Sequence, residues 1–241
     1  MQEINLFIGA HLDDIEIGCG GILADYFFKK SEVLKNSYFV ILSSGRELND
    51  ISISEKRLKA FEINMEKLNI PESRYFVNNS RIDTEFFDHK INIKQYLLSI
   101  LKKIQKRYEE KNPDNCELFN LNVYFNSSDN HEDHRITNEL IKEIIRPFSN
   151  LNCFKVNSLI EYEIPSSNLY GSPGDHFCIY KTIENKQLEF KKELLDSYKN
   201  ISLFSTQDAR DPKYIINWNK IQGEKIGDVP VERFNLIFKR L

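Results

Sequence analysis

Cysteine is sparse. Four residues, Cys19, Cys116, Cys153 and Cys178, are scattered through 241 positions and form no C-x-x-C pair. That spacing speaks against a disulfide framework or a thiolate zinc knot and leads us to expect free thiols in a reducing compartment. Nine glycines and seven prolines are too few for a collagen-like, low-complexity or wholly disordered chain. Neither sign of charge dominates, since 33 basic against 36 acidic residues leaves −3. No basic stripe interrupts that balance, so the sequence carries no electrostatic footprint for nucleic acid. No window approaches the roughly 20 apolar residues that a membrane span needs. The opening MQEINLFIGAHLDD has neither the charged leader, the apolar run nor the cleavage site of a signal peptide. These absences together predict a cytoplasmic protein without a membrane anchor or a nucleic-acid partner.

The chain is instead 41% hydrophobic and 12% aromatic, ample material for a core at a length where about 70% or more of the unfolded surface is buried. At about 150 residues per domain the expectation is one large domain over 1–241, with a core in 1–147 and a less regular part in 148–241. Asn5–Ala10, Tyr38–Leu42, Tyr75–Val77 and Leu118–Phe125 read as buried strands. Between them, Ile17, Ile22, Leu23, Tyr26 and Phe27 recur at helical spacing. So do Leu58, Phe61, Met65 and Leu68 within 54–68, and Ile93, Leu97, Ile100, Leu101 and Ile104 within 91–108. A further helix is expected from about Glu132 to Ile145, stopping at Pro147. Strands alternating with helices predict an α/β fold with a parallel sheet. Beyond Pro147 the pattern suggests strands at 156–164 and 177–180, a charged helix at 188–198 and a strand or short helix at 231–238.

Two segments hold three of the five histidines among acidic neighbours: Ala10-His11-Leu12-Asp13-Asp14, and Asp129-Asn130-His131-Glu132-Asp133-His134. Each falls where a strand hands over to a helix, and such loops converge in the crevice at the carboxyl ends of the strands. His and Asp are zinc ligands, and catalytic sites commonly supply three of them. His11 and Asp14, three apart on a tight turn, can face one ion while Asp13 points elsewhere. His131 and His134 share a face at a helix start. His11, Asp14 and His134 are therefore the candidate ligand set, and Asp13 and His131 the candidate proton carriers. The plainer alternative makes the same acids helix caps. Gly18, Gly20 and Gly21 lie inside an expected helix, where each costs roughly 1 kcal/mol against Ala, and they predict close packing of its start on the sheet. The G-x-G-G run lacks the full dinucleotide spacing.

AHLDDIEIGCGG resembles the first motif of the LmbE/PIG-L-like family of zinc-dependent N-acetylglucosaminyl deacetylases, and SDNHEDH resembles the second. The first match extends through Glu16, Gly18, Cys19, Gly20 and Gly21, and a looser likeness continues at 191–207 and 232–238. Leu12 and Glu132 stand where the family usually has Pro, and neither is a ligand position. The resemblance implies a Rossmann-like fold and a Zn2+ ion, or another divalent metal, held at His11, Asp14 and His134. It further implies Asp13 as general base, His131 assisting the tetrahedral intermediate or protonating the leaving amine, and Asp133 tuning it. The expected partner is a small-molecule N-acetylated sugar or sugar conjugate.

Arg46, after Ser43-Ser44-Gly45, is a candidate substrate-binding residue because its planar fork suits phosphate or carboxylate. His176 sits in a turn-rich stretch, and Trp218 with Tyr214 is expected to pack in the core rather than stack on a sugar. Rival readings are a hydrolase of another amide, a two-metal phosphoesterase and a non-catalytic sugar-binding module. One sequence exposes no interface, so a homo-oligomer stays open.

Overall fold

The computed structural model describes residues 3–45, 51–79, 86–111, 119–145, 154–165, 178–199, 201 and 211–240. The elements run β1 (Glu3–Gly9), α1 (Asp14–Phe28), α2 (Glu32–Lys35), β2 (Ser37–Ile41), α3 (Ile51–Lys67), β3 (Tyr75–Val77), α4 (Phe86–Lys111), β4 (Phe119–Asn126), α5 (Glu132–Ile144), β5 (Phe154–Tyr162), β6 (Ile179–Thr182), α6 (Asn185–Lys199), α7 (Pro212–Glu224) and β7 (Val231–Lys239). One seven-stranded sheet has the order β3-β2-β1-β4-β5-β7-β6. Its first five strands are parallel, and β7 pairs antiparallel with both β5 and β6. The α/β class and the parallel core agree with the sequence reading. Among the described residues of the C-terminal part, β5, β6 and β7 extend the same sheet, with 231–238 a strand.

Alternation explains the layers. In β1, Ile4, Leu6 and Ile8 face a core built with Ile93, Leu97 and Ile104 of α4 and Leu140 and Ile141 of α5. Phe7 points the other way, to Phe61 of α3, Leu23 of α1 and Leu194 of α6. A strand covered on both faces favours apolar residues at nearly every position, which is why Leu6 to Ile8 read as an apolar run, and the buried exception, Asn5, accepts from Asn122 Nδ2 at 3.2 Å. Helix α7 had no place in the sequence reading, although Asp211 caps it by accepting the N–H of Lys213 at 2.7 Å and Pro212 opens it.

Helix α1 packs unusually close. A Cβ on Gly18 would lie 2.2 Å from the Tyr162 ring of β5, and one on Gly20 would lie 2.7 Å from Cγ of Lys191. The predicted contact with the sheet therefore holds at Gly18, while Gly20 makes room for α6. Through that gap Lys191 Nζ donates to Ile17 O and Glu232 Oε1, both at 2.7 Å. The Glu232 carboxylate also accepts the N–H groups of Gly21 (2.7 Å) and Ile22 (2.9 Å). Both charges are fully buried. Among the described residues no helix is long and apolar enough to cross a membrane.

Candidate metal centre

Strand order reverses between β1 and β4, because the chain builds outward through β2 and β3 and then returns to the other side of β1. The crevice at such a reversal is where open α/β sheets bind ligands. Both histidine-bearing segments stand there. Ala10 to Asp13 connect β1 to α1, and Ser127 to His131 connect β4 to α5.

The first loop turns tightly enough for the His11 N–H to donate to Asp14 Oδ2 at 2.9 Å. His11 Nδ1 lies 3.7 Å from Asp14 Oδ2, and His134 Nε2 lies 3.4 Å from Asp14 Oδ1. Two ligands about 2.1 Å from a tetrahedral ion stand about 3.4 Å apart, so these spacings suit a single divalent cation. His11, Asp14 and His134 offer ligand atoms that all lie within 4.8 Å of one another. A second group, His11, His131 and Asp133, meets the same criterion, but hydrogen bonding gives it another explanation. His11 Nε2 is 3.0 Å from Asp133 Oδ2, and His134 Nδ1 is 2.6 Å from Asp129 Oδ2. Each candidate histidine ligand thus has a carboxylate on its far nitrogen, the arrangement that fixes tautomer and ring orientation at metal sites. The Asp133 carboxylate therefore reaches His11, whereas the sequence reading had paired it with His131. Asp133 also accepts the N–H of Phe86, at the start of α4, at 3.3 Å.

Electrostatics follow from this crowding. Burial by itself would raise the Asp14 carboxyl, but His134 and His11 beside it hold it well below the usual carboxylate range. Burial works against a proton on His134, yet Asp14 and Asp129 overcome that and raise it to about 9. A cation bound here would displace that proton. His131 is lowered, first by burial and then by the neighbouring His11 and His134. Its Nδ1 accepts the N–H of Asp133 at 3.3 Å, so the neutral ring carries its proton on Nε2, available as a donor. The His131 ring stacks on His134 at 4.7 Å, as their shared helical face implied.

Asp13 differs from the other acids of the two motifs. It holds the N-cap position of α1 without making a side-chain cap, and among the described residues its half-buried carboxylate has no hydrogen bond or ion pair. The helix-cap alternative therefore fails for Asp13. It fails for Asp129 too: His131 holds the N-cap of α5, and Asp129 accepts the His131 N–H at 2.8 Å while also holding His134.

Three residues beneath the loop, one of them within the matched motif, have no role in the sequence analysis. Tyr198 Oη lies 2.7 Å from Leu12 O and 2.9 Å from Glu16 Oε1, and Asn64 Nδ2 donates to Glu16 Oε1 at 3.0 Å. Burial pushes Glu16 up to about 7, against the hydrogen bonds of Asn64 and Tyr198. The one Tyr198 proton faces two acceptors, and a protonated Glu16 supplies the second. Glu16 stood within the matched motif, but nothing in the sequence marked Asn64 or Tyr198 as its partners. Trp218 is half-buried and outside the core clusters, donating Nε1–H to Glu163 Oε2 at 3.0 Å with Arg233 over its ring and Tyr214 beside it. Arg46 and His176 lie outside the described residues.

Residues 6–145 match the family model described as PIG-L, GlcNAc-PI de-N-acetylase. The chain belongs to this family. No curated protein matches the sequence. Among solved structures, N,N'-diacetylchitobiose deacetylase from Pyrococcus horikoshii is 20% identical, with a TM-score of 0.66 over 98% of this chain and 84% of that one. A zinc-inhibited form of teicoplanin deacetylase is 12% identical, with a TM-score of 0.60 over 98% of each chain. GalB, the 4-carboxy-2-hydroxymuconate hydratase from Pseudomonas putida KT2440, is 14% identical, with a TM-score of 0.61 over 100% of this chain and 98% of that one. At such identities the likeness is one of fold, and a hydratase among the similar structures shows that a PIG-L fold does not by itself fix the reaction.

Proposed function

We propose that this PIG-L family chain is a metal-dependent N-deacetylase, acting as one domain over 1–241 on a small-molecule N-acetylated amino sugar. The observation that carries the reading is the ligand triangle of His11, Asp14 and His134, with Asp13 next to Asp14 in the chain and without a hydrogen bond or ion pair among the described residues. Deacetylase neighbours and the family description support the substrate class.

His11, Asp14 and His134 would hold the ion, with zinc the family expectation. When bound, it supplies a Lewis acid that polarises an amide carbonyl and lowers the pKa of water to about 7. The remaining work falls to the chain. Asp13 takes the proton of the attacking water, and its lack of competing hydrogen bonds keeps it available. His131, neutral through burial and bearing its proton on Nε2, donates to the oxygen that gains charge and serves the departing amine. Asp133 and Asp129 keep His11 and His134 oriented, and the Asp133 backbone N–H donates to His131 Nδ1. Arg46 is assigned to a phosphate or carboxylate on the substrate.

The test begins with elemental analysis after zinc loading and dialysis. About one ion per wild-type chain and little in Asp14→Ala is expected, followed by acetate release from a panel of N-acetylated sugars. Folded wild type that retains no ion overturns the hydrolase. Retained ion with sugar binding but no acetate release favours a non-catalytic binding module, and release of phosphate instead favours a phosphoesterase.

A further inference from the structure

At the edge of the sheet opposite the metal motifs, a cavity of about 620 Å³ opens between the C-terminal ends of α1 and α3, just before β2 and β3 begin. Its volume falls within the about 300–1,000 Å³ of ligand pockets. The floor is apolar, since Leu34, Leu68 and Ile70 belong to the buried core and Phe27 closes one side. The polar lining is of one sign. Lys30, Lys35 and Arg74 face the cavity and no acidic residue does, although the chain carries −3 overall. Lys35 is paired with Glu32 at 2.6 Å. Among the described residues Lys30 and Arg74 have no acidic partner, and the Arg74 guanidinium rests 5.9 Å over the Tyr38 ring.

The backbone adds an independent observation. Lys30 (φ 48°) and Asn69 (φ 56°) both adopt the left-handed conformation just beyond a helix end, where glycine is usual. A lysine there bears a steric cost that a glycine would avoid, yet the position presents an amine at the cavity mouth. The helix ends do not cancel that charge. Ser31 N–H closes on Tyr26 O at 2.9 Å and Ile70 N–H on Met65 O at 2.8 Å, so these terminal carbonyls are already satisfied.

We propose that this cavity binds an amphiphilic anion, a fatty carboxylate whose chain lies along the Leu34, Leu68 and Ile70 floor and whose head group meets Lys30 and Arg74. The proposal is independent of the deacetylase reading. Calorimetric titration of the zinc-loaded full chain with dodecanoate, below its micelle concentration, tests it. Saturable binding of one molecule per chain is expected. The double variant Lys30→Gly/Arg74→Gln should weaken it by about tenfold or more, and dodecyltrimethylammonium should not compete. Lys30→Gly relieves the left-handed strain, so loss of the fold is not the cause of the weakening. Absence of saturable binding overturns the proposal, as does equal binding of the cationic analogue. Binding lost in Asp14→Ala but kept in the double variant would place the chain of the ligand in the metal site and also overturn it. A double variant that changes the sedimenting mass while dodecanoate fails to bind would assign the cleft to a second copy.

Discussion

At the scale of single residues, the division of labour among the acids is sharp enough to be separated by mutation. Asp13→Asn removes a base that holds no neighbour, so the variant should keep its ion and lose turnover by about 10²–10⁴-fold. Elemental analysis beside acetate release checks both halves, and normal activity removes Asp13 from its role. Glu16 carries a pH signature. Its folded-state pKa is raised from 4.5 to about 7, so between those values the folded state holds a proton that the unfolded chain has already released. Stability from this group is therefore full at low pH and falls as pH rises from about 4.5 to 7, by up to about 3 kcal/mol. Glu16→Gln should flatten that part of the stability curve, read by urea unfolding across the window. An unchanged slope overturns the assignment. The ligand set was legible because three-residue spacings on a turn and a helix start announce themselves locally. The Asp133–His11 and Tyr198–Leu12 contacts join residues 122 and 186 positions apart, and only the topology brings them together.

Among the elements, α1 stands out because it is held by charge in an otherwise apolar layer. Lys191 and Glu232 are fully buried, and each is satisfied by the other and by backbone groups of α1. Removing one partner strands the other, so Lys191→Met should destabilise by about 3–5 kcal/mol, with Lys191→Met/Glu232→Gln recovering part of the loss. Denaturant midpoints of the two variants decide this, and equal losses would mean that the pair acts only through packing volume. Helical periodicity made α4 and α5 readable, since each presents one long apolar face. The antiparallel β7 was harder to read. It is buried over Val231 to Phe234 and only partly covered beyond, so its burial does not alternate as a one-faced strand would. Helix α7 is short, and its start signal at Asp211-Pro212 stands in a polar stretch without a long apolar run.

For the molecule as a whole, the two motifs come from loops about 120 residues apart in sequence and meet only once the sheet has closed around the switch point. An ion bound there binds the folded chain and not the unfolded one. At a thousand times its dissociation constant it should add about 4 kcal/mol, a rise in melting temperature on the order of 10 °C for a chain of this size. Chelation should reverse the shift, and Asp14→Ala should show none. Class and parallel core were visible in the order of the apolar runs. That the C-terminal part completes one continuous sheet was not, because β7 enters between β5 and β6 out of chain order and pairs antiparallel with both, which the order of apolar runs does not encode.

The tie between α1 and the far end of the chain has a consequence for biosynthesis. Gly21 and Ile22 reach Glu232 across 211 and 210 positions, so a nascent chain leaving the ribosome presents α1 long before its anchoring carboxylate exists. Until β7 emerges, Lys191 has no counter-ion, and the N–H groups of Gly21 and Ile22 lack the Glu232 carboxylate that accepts them. Arrested nascent chains that stop before β7 should therefore remain protease-sensitive within α1, and emergence of β7 should be the event that locks the metal-bearing loop in place.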